Sequence, residues 1–326
     1  METIKWGIIG VGAVTEKKSG PAFYKIENSA LIAVMRRDEE KVKDFAKRHL
    51  VEKYYTDADQ LINDPDINAV YVATPPQSHK EYAIKVLRAG KPVYVEKPMA
   101  MDYAECKDII DVANEVNQKL FVAHYRRALP YFLKVKELLD NNAIGKLLTA
   151  DVRFYRPASA SDKDKEKQTW RLKRDIAGEG YFFDLAPHTL DILDFLLGEI
   201  EEAKAYCKNL GGFYEVADTL SAIWQFKSGI TGGGEWCFVA PEQSREDSIT
   251  ITGTNGVIRF STFAFTPICL STDRGNEYFE PEQPEHIQQP LIQAIVNELR
   301  GVGSCPSTGV SAARTARVMD MIVGKL

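Results

Sequence analysis

The chain has 326 residues, 44% hydrophobic and 27% charged, with a formal net charge of −5. That length suggests two domains, each able to bury its own core. The acidic balance excludes a broad basic field for nucleic acid or an anionic membrane, and no apolar run reaches the ~20 residues of a membrane helix. Up to about residue 123, strand and helix patterns alternate. "IKWGIIG" predicts the first strand and "ALIAVMR" the second; "DEEKVKDFAKRH" predicts a helix and "AVYVATP" a later strand. "SHKEYAIKVLRAG" predicts a helix stopped at Gly90, and "PVYVE" and "LFVAH" are two more strands. Short, nearly continuous apolar strands between helices imply a parallel sheet covered on both faces. The fold class is therefore α/β, with a doubly wound dinucleotide-binding domain over residues 1–123.

From residue 124 the texture changes. "YFLKVKELLDNNAIG" predicts a helix, and "LLTADVRFY", "TLSAIWQF", "TGGGEWCFVA", "SITITG" and "VIRFSTF" predict strands. Asn255-Gly256 in "GTNGV" predicts a type I′ hairpin. Successive hairpins imply a mainly antiparallel sheet, so residues 124–326 are expected to form an α+β domain that binds substrate. "PLIQAIVNELRG" and "VSAARTARVMDMIVG" predict helices near the end, and "SASDKDKEKQ" (159–168) predicts a surface loop, either a solvated connection or a lid. The opening "METIKWGIIG" has no basic region or cleavage site, so no signal peptide is expected. Cys106, Cys207, Cys237, Cys269 and Cys305 are scattered without a C-x-x-C pair. Neither a disulfide framework nor a metal site is expected, and a reducing, cytoplasmic setting fits.

Gly10-Val11-Gly12 closes the first strand, and Ala13 and Val14 open the next helix. Glycines there let the backbone approach a pyrophosphate seated on the helix N-terminus. Thr15 takes the third small position of G-x-G-x-x-G, so the fingerprint is incomplete and a purely structural turn is the other reading. Arg36, with Arg37 beside it, stands where an acidic residue would hold the adenosine ribose. A guanidinium can bind a 2′-phosphate that a carboxylate would repel, so NADP(H) is expected over NAD(H). NAD(H) stays possible if Asp38 takes the acidic role or the arginines are solvated.

"YVATPPQSH" and "YVEKP" end strands at the sheet edge where ligands bind, which brings in Thr74, Pro75, His79, Glu96 and Lys97. Pro98 restrains the backbone that carries the Lys97 amine; otherwise Glu96 and Lys97 are an exposed pair. "FFDLAPHTLDIL" spaces Asp184, His188 and Asp191 at i, i+4 and i+7. If Asp184 is the N-cap, Pro187 falls in the first turn and Asp184 and His188 can converge; otherwise they are a cap and a packed histidine. Hydride transfer at a carbinol carbon leaves a proton to manage on its oxygen. His188 titrates nearest neutrality and suits that proton, Lys97 can stabilise negative charge on the oxygen, and Asp184 can orient hydroxyls. Tyr125, Tyr155, Trp170 and Arg171 suit a polyol ring, although each also reads as structural, and His49 and His286 read as surface residues.

The set "GIIGVGAV", "AVYVATPPQSH", "AGKPVYVEKPMAMD", "AHYRRALPYF", "NNAIGKL", "GEGYFFDLAPHTLDIL" and "ITGTNGVIRF" resembles the glucose–fructose oxidoreductase/inositol dehydrogenase (Gfo/Idh/MocA) family in register over almost the whole chain. The resemblance implies a Rossmann domain followed by a domain whose open antiparallel sheet serves as an oligomer interface, hence a homodimer or homotetramer. It implies that Lys97 lies beside nicotinamide and substrate, that Lys97, Asp184 and His188 are catalytic, and that His79 and Arg126 join the cofactor contacts. Thr15, Arg36 and His124 depart from the family pattern. The expected function is an NADP(H)-dependent oxidoreductase acting on a sugar, polyol or related hydroxy or keto compound. The alternatives are a nucleotide-binding ligand sensor without turnover and an NAD-dependent glycosidase of the same family.

Overall fold

The computed structural model describes residues 2–326. They form two compact units, 1–129 with 284–313, and 130–283 with 314–326. The first unit holds six strands: β1 (Ile4–Ile9), β2 (Ser29–Met35), β3 (Lys53–Tyr55), β4 (Ala69–Val72), β5 (Val93–Val95) and β6 (Leu120–Val122). Their order is β3-β2-β1-β4-β5-β6 and every pairing is parallel. The chain winds outward from β1 to β3, then crosses back to lay β4 on the other side of β1. The switch point between β1 and β4 is where such sheets bind ligands at their carboxyl ends. The apolar runs have the expected cause: β4 and β5 are buried at every position, because helices cover both faces.

Helix Glu39–Arg48 is capped by Asp38, whose carboxylate accepts the Lys41 N–H at 3.1 Å. Helix His79–Arg88 ends as the sequence suggests: Gly90 adopts φ +76°, a left-handed conformation that closes a helix without Cβ strain. The stretch that includes helix Gln289–Leu299 packs with this unit, although it follows the second unit in the chain.

The second unit carries eight strands: β7 (Leu147–Tyr155), β8 (Ile200–Lys208), β9 (Thr219–Phe226), β10 (Thr231–Cys237), β11 (Glu246–Gly253), β12 (Gly256–Phe260), β13 (Ile268–Thr272) and β14 (Gly275–Phe279). They order as β14-β13-β12-β11-β7-β10-β9-β8. All pairs are antiparallel except β7 with β10. One face is covered by helix Gly180–Leu197, which is buried on nearly all sides; Phe182 meets Trp236 edge-on at 5.3 Å. The other face is open and carries alternating polar residues of β7, β9 and β10.

The β11–β12 hairpin forms where expected, but its turn differs. Gly253 pairs with Gly256, so Thr254 and Asn255 are the turn residues, and neither has positive φ. The type I′ expectation is therefore corrected. The turn is held instead by neighbouring chain: the Thr254 and Asn255 N–H groups donate to the Lys146 and Ile144 carbonyls, both at 2.9 Å. Gly253 serves this approach, since a Cβ there would lie 2.2 Å from the Ile144 oxygen. Among the described residues no helix is long and apolar enough to cross a membrane.

Candidate active site

In the first unit, the candidates gather at the carboxyl ends of β1, β2, β4 and β5. Gly10 follows β1 with φ +95°, and a Cβ there would fall 2.7 Å from the Thr74 methyl and 2.9 Å from the Thr74 nitrogen. Only glycine satisfies both the conformation and the close approach. Gly12 is the N-cap of helix Ala13–Lys17, and a Cβ there would meet nothing nearer than the Gly10 oxygen at 4.0 Å. That open space over the loop fits a dinucleotide pyrophosphate. Thr15 is fully buried; its Oγ1 accepts the Gly12 N–H at 2.9 Å and donates to the Gly12 carbonyl at 2.8 Å. The residue that breaks the fingerprint thus braces the loop.

Arg36 directly follows β2 and is half-exposed; its Nη1 donates to the Val11 carbonyl at 3.2 Å, so the guanidinium lies against the glycine loop. Arg37 is exposed. Asp38 is engaged as helix cap and in a 2.8 Å ion pair with Lys41, whose ammonium is the main cause holding its carboxyl below the usual range.

Thr74 and Pro75 follow β4, and His79 opens the next helix in a buried position. Its Nε2 lies 2.7 Å from the Thr74 carbonyl and its Nδ1 2.8 Å from the Pro98 carbonyl. His79 therefore ties together the loops after β4 and β5. A neutral ring donates from only one nitrogen. Burial dominates and lowers the His79 pKa, against the two carbonyls, which act to raise it.

Glu96 is buried and well satisfied. Its Oε1 accepts from Tyr71 Oη at 2.5 Å and from Gln288 Nε2 at 2.6 Å, and its Oε2 accepts the Lys97 N–H at 3.1 Å. It is not an exposed strand-end charge. Lys97 is half-buried, and the Lys97–Pro98 bond is cis. His124, Tyr125 and Arg126 are buried just after β6, with the Arg126 guanidinium 5.0 Å over the Tyr125 ring. Gln288 carries no motif signal, and its contact with Glu96 spans 192 positions of sequence.

In the second unit, helix Gly180–Leu197 carries Asp184 and His188 on one face, one turn apart. The helix begins four residues earlier than Asp184, at Gly180, with Glu179 as N-cap and Pro187 in its interior. The N-cap expectation for Asp184 is corrected, because the buried run "GYFF" already forms its first turn. Asp184 accepts from Arg171 Nε at 3.0 Å, and the Arg171 guanidinium sits 4.6 Å over the Trp170 ring. Trp170, Arg171 and Asp184 thus form one cluster. His188 is buried, edge-on to Phe263 at 5.6 Å, while Asp191 is buried and accepts from Thr315 at 3.3 Å.

Tyr155 is not part of this cluster. Phe154 contacts Phe263 on the His188 side of the sheet at 5.1 Å, so the next residue of β7 points to the open face. There Tyr155 donates to Glu235 at 2.6 Å; burial first, then Glu235, push its pKa up to about 12. The loop 159–168 is pinned by fully buried Asp162, which accepts from Tyr181 at 2.5 Å and pairs with Arg156 at 3.2 Å. The two histidines read as surface residues are both packed. His49 stacks on Phe45 at 4.1 Å, and His286 is buried with Nδ1 2.8 Å from the Lys17 carbonyl. Among the described residues no cluster of His, Cys, Asp and Glu could hold a metal.

Comparison with known proteins agrees with this geometry. Residues 4–124 match the model "Oxidoreductase family, NAD-binding Rossmann fold", and residues 132–259 match the "GFO/IDH/MocA C-terminal domain". The chain is 43% identical over 322 residues to "Oxidoreductase P35" of Formosa agariphila, covering 98% of each chain. It is 27% identical over 312 residues to 1,5-anhydro-D-fructose reductase of Ensifer adhaerens, covering 94% of this chain and 91% of that one. A solved levoglucosan dehydrogenase in complex with NADH superposes with a TM-score of 0.88 at 23% identity, over 98% of this chain and 96% of that one. The chain therefore belongs to the NAD(P)-dependent Gfo/Idh/MocA oxidoreductase family.

Proposed function

We propose that this enzyme prefers NADP(H) and acts on a CH–OH or carbonyl carbon of a sugar, polyol or related compound. The observation that carries the cofactor choice is Arg36, which lies against the glycine loop while Asp38 is committed to its helix cap. The guanidinium has further N–H donors for a 2′-phosphate, and no carboxylate ends β2 to repel one. The relatives named for 1,5-anhydro-D-fructose and levoglucosan support the substrate class. When bound, the nicotinamide supplies the redox chemistry. Gly10, Gly12, Ala13, Val14 and the Thr74–Pro75 turn bind the dinucleotide, with Arg126 and the loops tied by His79 shaping the nicotinamide end. Lys97 stabilises negative charge on the substrate oxygen, and His188 exchanges that oxygen's proton. Asp184, held by Arg171, orients neighbouring hydroxyls, with Trp170 and Tyr125 as apolar walls. Tyr155, on the open face and bonded to Glu235, is left out of this set.

The test is turnover, followed by nicotinamide absorbance in both directions, against a panel of levoglucosan, myo-inositol and 1,5-anhydro-D-fructose. Wild type turns over at least one compound. Lys97→Ala and His188→Ala each lose roughly a hundredfold or more in kcat while remaining folded. Full activity in both variants would sink the assignment.

A further inference from the structure

Gln288 lies 192 residues from Glu96 in the chain, yet it is fully buried against that carboxylate. Its Nε2 donates to Glu96 Oε1 at 2.6 Å, and its Oε1 accepts from Tyr94 Oη at 2.8 Å. A carboxylate can only accept, so Glu96 takes the NH₂ and leaves the amide oxygen to the Tyr94 hydroxyl, which fixes the amide orientation. The Gln288 backbone N–H donates to the Lys18 carbonyl at 3.2 Å, and His286 Nδ1 lies 2.8 Å from the Lys17 carbonyl. Segment 286–288 therefore grips the far end of the glycine-loop helix on one side and Glu96 on the other. Glu96 in turn holds the Lys97 N–H through Oε2 at 3.1 Å.

We propose that Gln288 is a positioning residue for Lys97: it fixes the rotamer of the Glu96 carboxylate, and through it the backbone that aims the Lys97 amine, in register with the glycine loop. This rests on the reading of Lys97 as a group that acts on the substrate oxygen. Three donors converge on Glu96, and removing one lets a buried carboxylate turn toward whatever donor remains. A displacement of about 1 Å at a reacting group can cost around a hundredfold in rate without weakening ligand binding.

The test compares Gln288→Leu, Gln288→Glu and Lys97→Ala with wild type, using the panel compound that wild type turns over fastest, and measures NADPH binding by fluorescence. Gln288→Leu should lower kcat roughly ten- to a hundredfold, with the NADPH Kd within about threefold of wild type. Gln288→Glu sets two carboxylates side by side, and they bind one proton between them. Once that proton is bound, the new side chain donates to Glu96 as the amide did. Its activity should recover as pH falls, unlike that of wild type. The titratable groups facing the pair are Tyr71 on β4, Tyr94 on β5, Lys97 and His79, with Tyr125 and Cys305 beyond Tyr94. His79 and, on the Gln288 segment, His286 are present in wild type as well, so a recovery seen only in Gln288→Glu reports on the pair. Wild-type kcat in Gln288→Leu overturns the proposal. So does a Gln288→Glu pH profile parallel to wild type, which marks a structural role only. Full activity in Lys97→Ala removes the reading on which the proposal rests, and so does a wild type inactive on the whole panel; both fall together in either case.

Discussion

In the proposed reading, Arg36 is the side chain that sets cofactor choice. Its Nη1 contact with the Val11 carbonyl, at 3.2 Å, holds the guanidinium at the mouth of the glycine loop. A phosphate there would gain charge-assisted hydrogen bonds, each worth about 1.5–3 kcal/mol. Arg36→Asp should therefore weaken NADPH binding by about 2 kcal/mol, roughly thirtyfold, and leave NADH binding unchanged or tighter. Equal losses for both cofactors would mean that the arginine only braces the loop. His79 carries a different lesson at the same scale. Its sequence position and the family resemblance suggest a cofactor contact; in the fold it opens a helix and spans two carbonyls. Such a role in loop geometry needs a pair of backbone oxygens, which no spacing of side chains reveals.

At the scale of elements, the strands of the first unit were legible because burial on both faces writes long apolar runs. The second unit's β7 and β9 were legible through their alternation, whereas β8 was missed. Its inner face beyond Ile200 carries the small residues Ala203, Ala205 and Cys207, so the period of two has little contrast. The Asp184 helix start was misjudged because Pro187 looks like a first-turn residue, although Gly180 begins the helix. Gln288 could not be found from sequence, since its value lies in a contact across 192 positions. The buried pair on β4 and β5 gives this scale its prediction. Tyr71 and Tyr94 stack at 4.7 Å, and burial, then Glu96, raise both pKa values above the usual 10. In the unfolded chain both ionise near pH 10, while the folded chain keeps them neutral. Their contribution to stability is complete below about pH 10 and is lost as pH rises further. The urea midpoint should fall steeply between about pH 10 and pH 11, and less steeply in Tyr94→Phe. A midpoint flat through that range would contradict the burial account.

At the scale of the molecule, one face of the eight-stranded sheet is open, with exposed side chains on β7, β8 and β9. It exposes Tyr206 at 81% and Ile223 at 66%, flanked by the Arg153–Glu235 ion pair at 3.3 Å. Apolar residues rimmed by charges suit a second copy of the chain. If this face joins two copies, wild type should sediment as a homo-oligomer and the double substitution Tyr206→Lys, Ile223→Lys as a 36.6 kDa monomer. A wild type that already sediments as a monomer would contradict this use of the face. The NADP(H) site proposed on the first sheet is open to one direct measurement, a titration of the purified, cofactor-free protein with NADPH and with NADH, side by side, by fluorescence. Both should bind saturably, with NADPH at least roughly tenfold tighter. NADH binding as tightly or more tightly would contradict the role given to Arg36, and binding of neither would contradict the site itself.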